Sequence, residues 1–283
     1  MTTVLAPPRR LRSERTRRAA RSATLLVGLA ILGFWVLCAV FGSRIAPIDP
    51  YADNLLATLE PPSWVHWFGT DQLGRDVFSR VIVGARDILT VAPLATLLGT
   101  LLGTALGLFV GYHRGAVDDL VSRIIEALQA LPLVIVALMA LAAVGTSNLA
   151  VVMVIGFVFT PLIARTVRSA VLIESSLDYV AAARLRGDGA LDVMFVEILP
   201  NVLPLIVVEA TVRFGYAIFF VASLSFLGFG IQPPSADWGI AIAENYSLIG
   251  SYWWTVIFDA IATASLVVGV YLAADGIQSV LRE

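Results

Sequence analysis

Glu209 and Arg213 stand four residues apart inside a long apolar run, so a helix would place both on one face. An acid and a base at that spacing can neutralise each other, meet a charged solute or hand on a charge. Asp259, in the next apolar run, would extend them into a relay for coupling ions. Each such charge near a bilayer centre costs roughly 2.5–3.5 kcal/mol on insertion scales, so pairing or a wet cavity must offset it. Other chemistry is scarce. The chain has no lysine, so it cannot carry a Gly-x-x-x-x-Gly-Lys-Ser/Thr phosphate loop. His66 and His113 fall on opposite sides of an apolar span and cannot share a metal. Cys38, the single cysteine, excludes an internal disulfide and an iron–sulfur cluster, and reads as a small packing residue. No Ser/His/Asp set gathers on one side. No catalytic residue, metal ligand or enzymatic activity is expected, and energy for any work must enter from outside the chain.

The elements that carry these residues are membrane spans. Of 283 residues, 58% are hydrophobic and only 14% charged, and the mean hydropathy is +0.86. Soluble domains carry about 25% charged residues. Apolar runs cover residues 23–42, 88–112, 124–144, 149–163, 203–229 and 253–272. Twenty helical residues cover about 30 Å, the thickness of the hydrocarbon core. The pattern predicts an all-α integral membrane protein with six transmembrane helices. Residues 1–22 hold seven arginines, among them the pairs Arg9–Arg10 and Arg17–Arg18, and one acid, Glu14. The positive-inside rule keeps this tail in the cytoplasm, and six spans then return the C-terminus to the same side. The pairs also fit a twin-arginine export signal, against which the later spans argue. The organisation is a tail (1–22), a first transmembrane helix (23–42), an external segment (43–87) and a five-helix core (88–283).

Three local patterns refine this. Gly99, Gly103, Gly107 and Gly111 recur every four residues and mark a face for close helix packing. Pro132 sits inside the third span and should kink it, at a pathway or a plain bend. The stretch 178–204 begins as a helix, breaks at Gly187-Asp188-Gly189, and resumes with Leu191, Phe195, Ile198 and Leu199 at helical spacing before Pro200 and Pro204 close it. Its expected product is a bent pair of short helices with an apolar stripe, shaped to press into a groove on a partner.

That stretch resembles the EAA loop of permeases of bacterial ABC importers. Ala182-Ala183, Gly187 and Leu199-Pro200 fall in register, with Ala181 where Glu is usual and Glu197 where Ile is usual. Phe68-Gly69-Thr70-Asp71 followed by Gly74-Arg75-Asp76 and Ser79-Arg80 is similar to a signature of the dipeptide, oligopeptide and nickel importer group. Leu224-Ser225-Phe226-Leu227-Gly228 with Gln232-Pro233-Pro234 and Trp238-Gly239 is similar to another. The resemblance implies a type I ABC importer permease fold in the bacterial cytoplasmic membrane, with both termini cytoplasmic. It implies four kinds of contact: a second homologous permease, two ATP-binding subunits that hold ATP and Mg, an external substrate-binding protein, and membrane lipid. It implies no nucleic acid and no cofactor on this chain. Residues 181–183, Gly187, Leu191, Glu197, Leu199 and Pro200 would form the ATPase-coupling loop. Gly69, Asp71, Gly74, Arg75, Asp76, Gln232, Pro233, Pro234 and Trp238 would form the external segment and gate, with 232–239 entering as a re-entrant or scoop-like segment. Glu209, Arg213 and Pro132 are the pathway candidates; the two charges would face the translocation cavity or the partner permease, with a pair buried inside the chain as the alternative. The implied substrate is a di- or oligopeptide, with nickel or another small solute as the alternative. An ion-coupled secondary transporter using Glu209, Arg213 and Asp259 is the reading from another class.

Overall fold

A computed structural model describes the backbone of residues 10–281 and the side chains of residues 23–278. The arginine side chains of the tail lie outside the described residues. Among the described residues the fold is helical, and its only β contact is an isolated bridge between Thr70 and Asp76.

Among the described residues, five helices are long and apolar enough to cross a membrane. They are α1 (Arg10–Ile45, apolar from Ala23), α2 (Val77–His113), α5 (Asn148–Glu174), a continuous helix Ala190–Phe226, and α10 (Trp254–Leu281). The bent pair α3 (Ala116–Gln129) and α4 (Leu133–Val144) makes a sixth if both parts belong to one span. This corrects the expectation of a single kinked helix over residues 124–144. The two parts meet at 90°, and Pro132 stands before α4 as its N-cap rather than inside a helix. Proline lacks the N–H that would continue the ladder and pushes the residue before it out of the helical region.

Other boundaries differ from the hydropathy pattern, and α5 runs on to Glu174 rather than ending at 163. Helix α2 starts at Val77, not 88, because the Asp76 carboxylate caps it by accepting from the Ser79 amide at 2.8 Å. At 37 residues it is about 55 Å long, nearly twice the hydrocarbon thickness. The second part of the 178–204 stretch is no separate short helix. It runs as α7 (Ala190–Asp192), a π turn (Val193–Ile198) and α8 (Leu199–Phe226) straight into the fifth span. In the π turn the Leu199 amide reaches the Met194 carbonyl, five residues back. The missing donor of Pro200 then falls at the change of register, where it interrupts little.

The glycine face of α2 packs on α5. A Cβ at Gly103 would lie 2.7 Å from Ile163 Cβ, one at Gly107 2.7 Å from the Ala164 carbonyl, and one at Gly111 2.8 Å from Val171 Cβ. Numbers rise together, so α2 and α5 run parallel. In α1 and α10 they run opposite: Gly28 meets Ala273, and Gly276 meets Leu25. Gly42, near the end of α1, packs on Ile82 and Val83, near the start of α2. The two described chain ends therefore share one end of the bundle, called here the terminal end, with His113 and Glu174. The opposite, cap end carries the 46–76 segment and α9 (Trp238–Asn245).

Candidate functional site

The terminal end presents the 178–204 loop. Helix α6 (Asp178–Leu185) stops in a Schellman motif: Gly187 N–H donates to the Arg184 carbonyl at 3.1 Å and Asp188 N–H to the Ala183 carbonyl at 3.2 Å. Gly187 holds φ +88°, and its missing Cβ faces open space. Conformation, not crowding, is what requires glycine there. Arg186 closes the gap by donating to Asp188 at 2.7 Å and to Glu197 at 2.8 Å. Glu197, which stands where Ile is usual in the EAA pattern, is thus the clasp between the two helical parts. Ala183 is buried, whereas Ala181 and Ala182 are exposed. The apolar stripe divides. Ile198 is buried and Leu199 half-buried against the bundle, while Leu191 is 67% and Phe195 51% exposed beside Leu185 at 90%. Pro200 is exposed. The outward half of the stripe, in the loop that also carries Arg184, Arg186 and Asp188, is left uncovered by this chain.

Anchors hold this loop to the spans. Arg184 lies 4.9 Å from the centre of the Tyr112 ring. Tyr179 donates to Glu174 at 2.7 Å and accepts from Asn201 at 3.1 Å. Burial and the Glu174 carboxylate push the Tyr179 hydroxyl up to about 12. Arg114 donates to the Leu172 carbonyl and to Ser175. These contacts tie α6 to the ends of α2 and α5.

The cap end gathers the second group. Arg75 Nε donates to Asp71 at 2.6 Å, and Arg75 also donates to Glu244. Burial works against the Arg75 charge, but Asp71 and Glu244 outweigh it and hold its pKa above the usual arginine value. Asp71 further accepts from the Leu73 and Arg75 amides and lies 3.9 Å from Arg80. The segment is a salt-bridged cap in which Asp76 is not Arg75's partner; it caps α2 and meets His66 at 2.9 Å. Gly69 and Gly74 hold φ +77° and +73°, and a Cβ on Gly74 would fall 1.8 Å from the Asn54 carbonyl. Trp238 is fully buried, donates to the Val81 carbonyl and packs edge-on against Trp35 at 4.8 Å. It is a packing residue rather than an exposed gate. Gln232, Pro233 and Pro234 are exposed, and α9 behind them packs between α8 and α10.

Glu244, Asn245, Asp237 and Ser235 belong to this cap although no motif singled them out. Asn245 accepts from the Gln72 amide, and Ser235 donates to Asp87 at 2.5 Å. Charge balance gave no signal for them: residues 230–252 hold Asp237 and Glu244 but no base, and 43–87 already hold six acids against four arginines. Asp237 caps α9 through the Ile240 amide, and burial pushes its carboxyl up to about 6 against the pull of that amide.

Between the two ends, Arg213 donates from Nε to Glu209 Oε1 at 2.7 Å, on the edge of the exposed face of α8. Pro132 has no hydrogen bond to either residue among the described residues; its carbonyl caps α4. Asp259 does not extend the pair into a relay. It is buried under the cap in the field of Arg80 and Asp237. Arg213 lies by Tyr271, twelve residues further along α10, or about 18 Å.

Comparison with known proteins matches residues 103–282 to the family described as "Binding-protein-dependent transport system inner membrane component" and residues 13–62 to "N-terminal TM domain of oligopeptide transport permease C". The chain is 38% identical over 267 residues to the dipeptide transport system permease protein DppC of Escherichia coli K12, covering 92% of this chain and 89% of that protein. It is 35% identical over 268 residues to the di/tripeptide transport system permease protein DppC of Pseudomonas aeruginosa UCBPP-PA14 (93% and 88%). It is also 35% identical over 268 residues to the dipeptide transport system permease protein DppC of Alkalihalophilus pseudofirmus (95% and 88%). With its spans, its loop and these likenesses agreeing, the chain belongs to the inner-membrane permeases of binding-protein-dependent transport systems.

Proposed function

We propose that the chain is a permease subunit of an ATP-driven importer for di- or oligopeptides and forms the translocation pathway with a second, homologous permease. The observation that carries this reading is its likeness to dipeptide permeases over 92–95% of its length. The 178–204 loop supports it as the input for work: its exposed Leu185, Leu191 and Phe195 offer two ATP-binding subunits a ledge to push, and those subunits hold ATP and Mg. The terminal end is the cytoplasmic one. Six arginines between 114 and 186 lie toward it, in keeping with the positive-inside rule. The cap end then faces the substrate-binding protein, with Gly69, Gly74 and the Asp71–Arg75–Glu244 bridges bracing the external gate and Gln232–Pro234 at its rim. Pro132, at the 90° bend, gives the third span a hinge beside the pathway, and Glu209 and Arg213 face the pathway from α8.

ATP binding presses the partner subunits on α6. The Tyr112, Tyr179 and Arg114 contacts pass that motion to α2 and α5, and the bundle rocks between inward-open and outward-open states. The test is uptake in vesicles holding the complete transporter with its binding protein. ATP-dependent dipeptide uptake, stimulated by the binding protein, is expected. Uptake of nickel without peptide would replace the substrate. Uptake driven by a proton or sodium gradient without ATP would refute the importer.

A further inference from the structure

Glu209 and Arg213 are joined through one carboxylate oxygen only. Arg213 Nε and Nη2 both approach Glu209 Oε1, at 2.7 and 2.6 Å. Glu209 Oε2 and Arg213 Nη1 have no hydrogen-bond or ion-pair partner among the described residues, and the two side chains are 15% and 19% exposed. A pair whose only duty was mutual neutralisation inside a span would satisfy both its faces, because each unpaired charge in hydrocarbon is costly. Here an acceptor and a donor are left over.

The surroundings fit a ligand. The Arg213 guanidinium lies 5.7 Å from the centre of the exposed Tyr216 ring, and Tyr216 meets Tyr271 edge-on at 6.3 Å. Further along the same side of α8 and α10, Phe219, Phe226, Thr263, Ala264 and Val267 line an almost wholly apolar groove of about 450 Å3. A small ligand site typically joins such an apolar wall to a few polar groups that fix orientation. On a helix, residues four apart hold their Cβ atoms about 5–6 Å from each other. A two-residue peptide reaches at most roughly 7 Å from end to end.

We infer that Glu209 and Arg213 form a charge-reading subsite for short zwitterionic peptides, Glu209 meeting the terminal ammonium and Arg213 the terminal carboxylate. The aromatic and apolar groove takes the peptide's side chains. In the resting pair each residue serves as the other's stand-in ligand, so the charges stay neutralised when no peptide is present. This rests on the peptide-importer reading above and adds the residues that recognise the ends of the cargo.

The test uses the complete transporter in vesicles with peptide-loaded binding protein, comparing wild type with E209Q, R213Q and the apolar double variant E209L/R213M. Co-purification of the partner subunits reads assembly separately. Each single variant should lower the kcat of dipeptide uptake about tenfold, the scale of one charge-assisted hydrogen bond, at unchanged KM for loaded binding protein. The double variant separates recognition from structure, because apolar replacement of a purely structural buried pair is commonly neutral or stabilising. A double variant that assembles but transports as poorly as the single ones supports the subsite. A double variant that transports like wild type overturns it and leaves the importer reading standing. A wild-type complex that moves no peptide removes the substrate and the subsite together.

Discussion

Arg75→Met is the sharpest probe of the cap. The guanidinium serves two acids, Asp71 and Glu244, and its removal affects them unequally. The Asp71 side chain is only 3% exposed, so it would remain buried without its main counter-charge. Losing one partner of a buried pair costs about 3–5 kcal/mol. Arg80 stays 3.9 Å from Asp71 and softens the loss, so the lower limit, about 3 kcal/mol, applies. Glu244, with 28% of its side chain exposed, regains water and adds little. At about 2 °C per kcal/mol for a chain of this size, R75M should melt about 6 °C below wild type. The assay is built into the molecule. Cys38 is the only cysteine, is 5% exposed, and lines a groove with Phe68 and Phe78 beneath the cap. A thiol-reactive fluorophore in detergent will report its exposure as the cap opens. Glu244→Gln, which disturbs only the partly solvated arm, should shift the midpoint by less than about 2 °C. An R75M midpoint equal to wild type, or an E244Q shift as large as that of R75M, would refute the assignment of Arg75 as the hub.

Gly187→Pro should abolish substrate-stimulated ATPase activity of the assembled transporter while leaving insertion intact, since proline cannot adopt φ +88° and loses the amide bonded to Arg184; normal coupling in this variant would remove the loop from the mechanism. Gly103→Leu should sharply lower the yield of folded protein, because even a Cβ there would sit 2.7 Å from Ile163, whereas Gly33→Leu, with nothing within 4 Å, should be tolerated; equal yields would disprove the α2–α5 packing. Asp237 gives a pH signature. Its folded pKa of about 6 lies above the ordinary 3.8, so the folded state binds the extra proton between these values and stability falls as pH rises from about 4 to 6. Asp237→Asn keeps an oxygen for the Ile240 amide and should flatten that slope, gaining about 3 kcal/mol above pH 6; melting curves from pH 4 to 8 that retain the wild-type slope would contradict it.

The sequence by itself determined that this is a membrane bundle, because hydropathy over twenty residues is a local quantity and each span must bury its own backbone. It also determined the glycine face of α2 and the break at Gly187, since spacing along a helix and the need for positive φ are properties of the chain alone. Hydropathy misplaced the start of α2 because Arg80, Arg86 and Asp87 look like loop residues, whereas the helix begins where Asp76 caps it. It also drew the third span as one kinked helix, because apolarity does not distinguish a kink from the 90° break before Pro132. The partners of the charges were beyond its reach. Arg75 meets Glu244 across 169 residues, and Trp238 reaches Val81 across 157. Only the tertiary structure decides which buried acid neutralises which base, because that choice depends on distance through a low-dielectric interior rather than on separation along the chain.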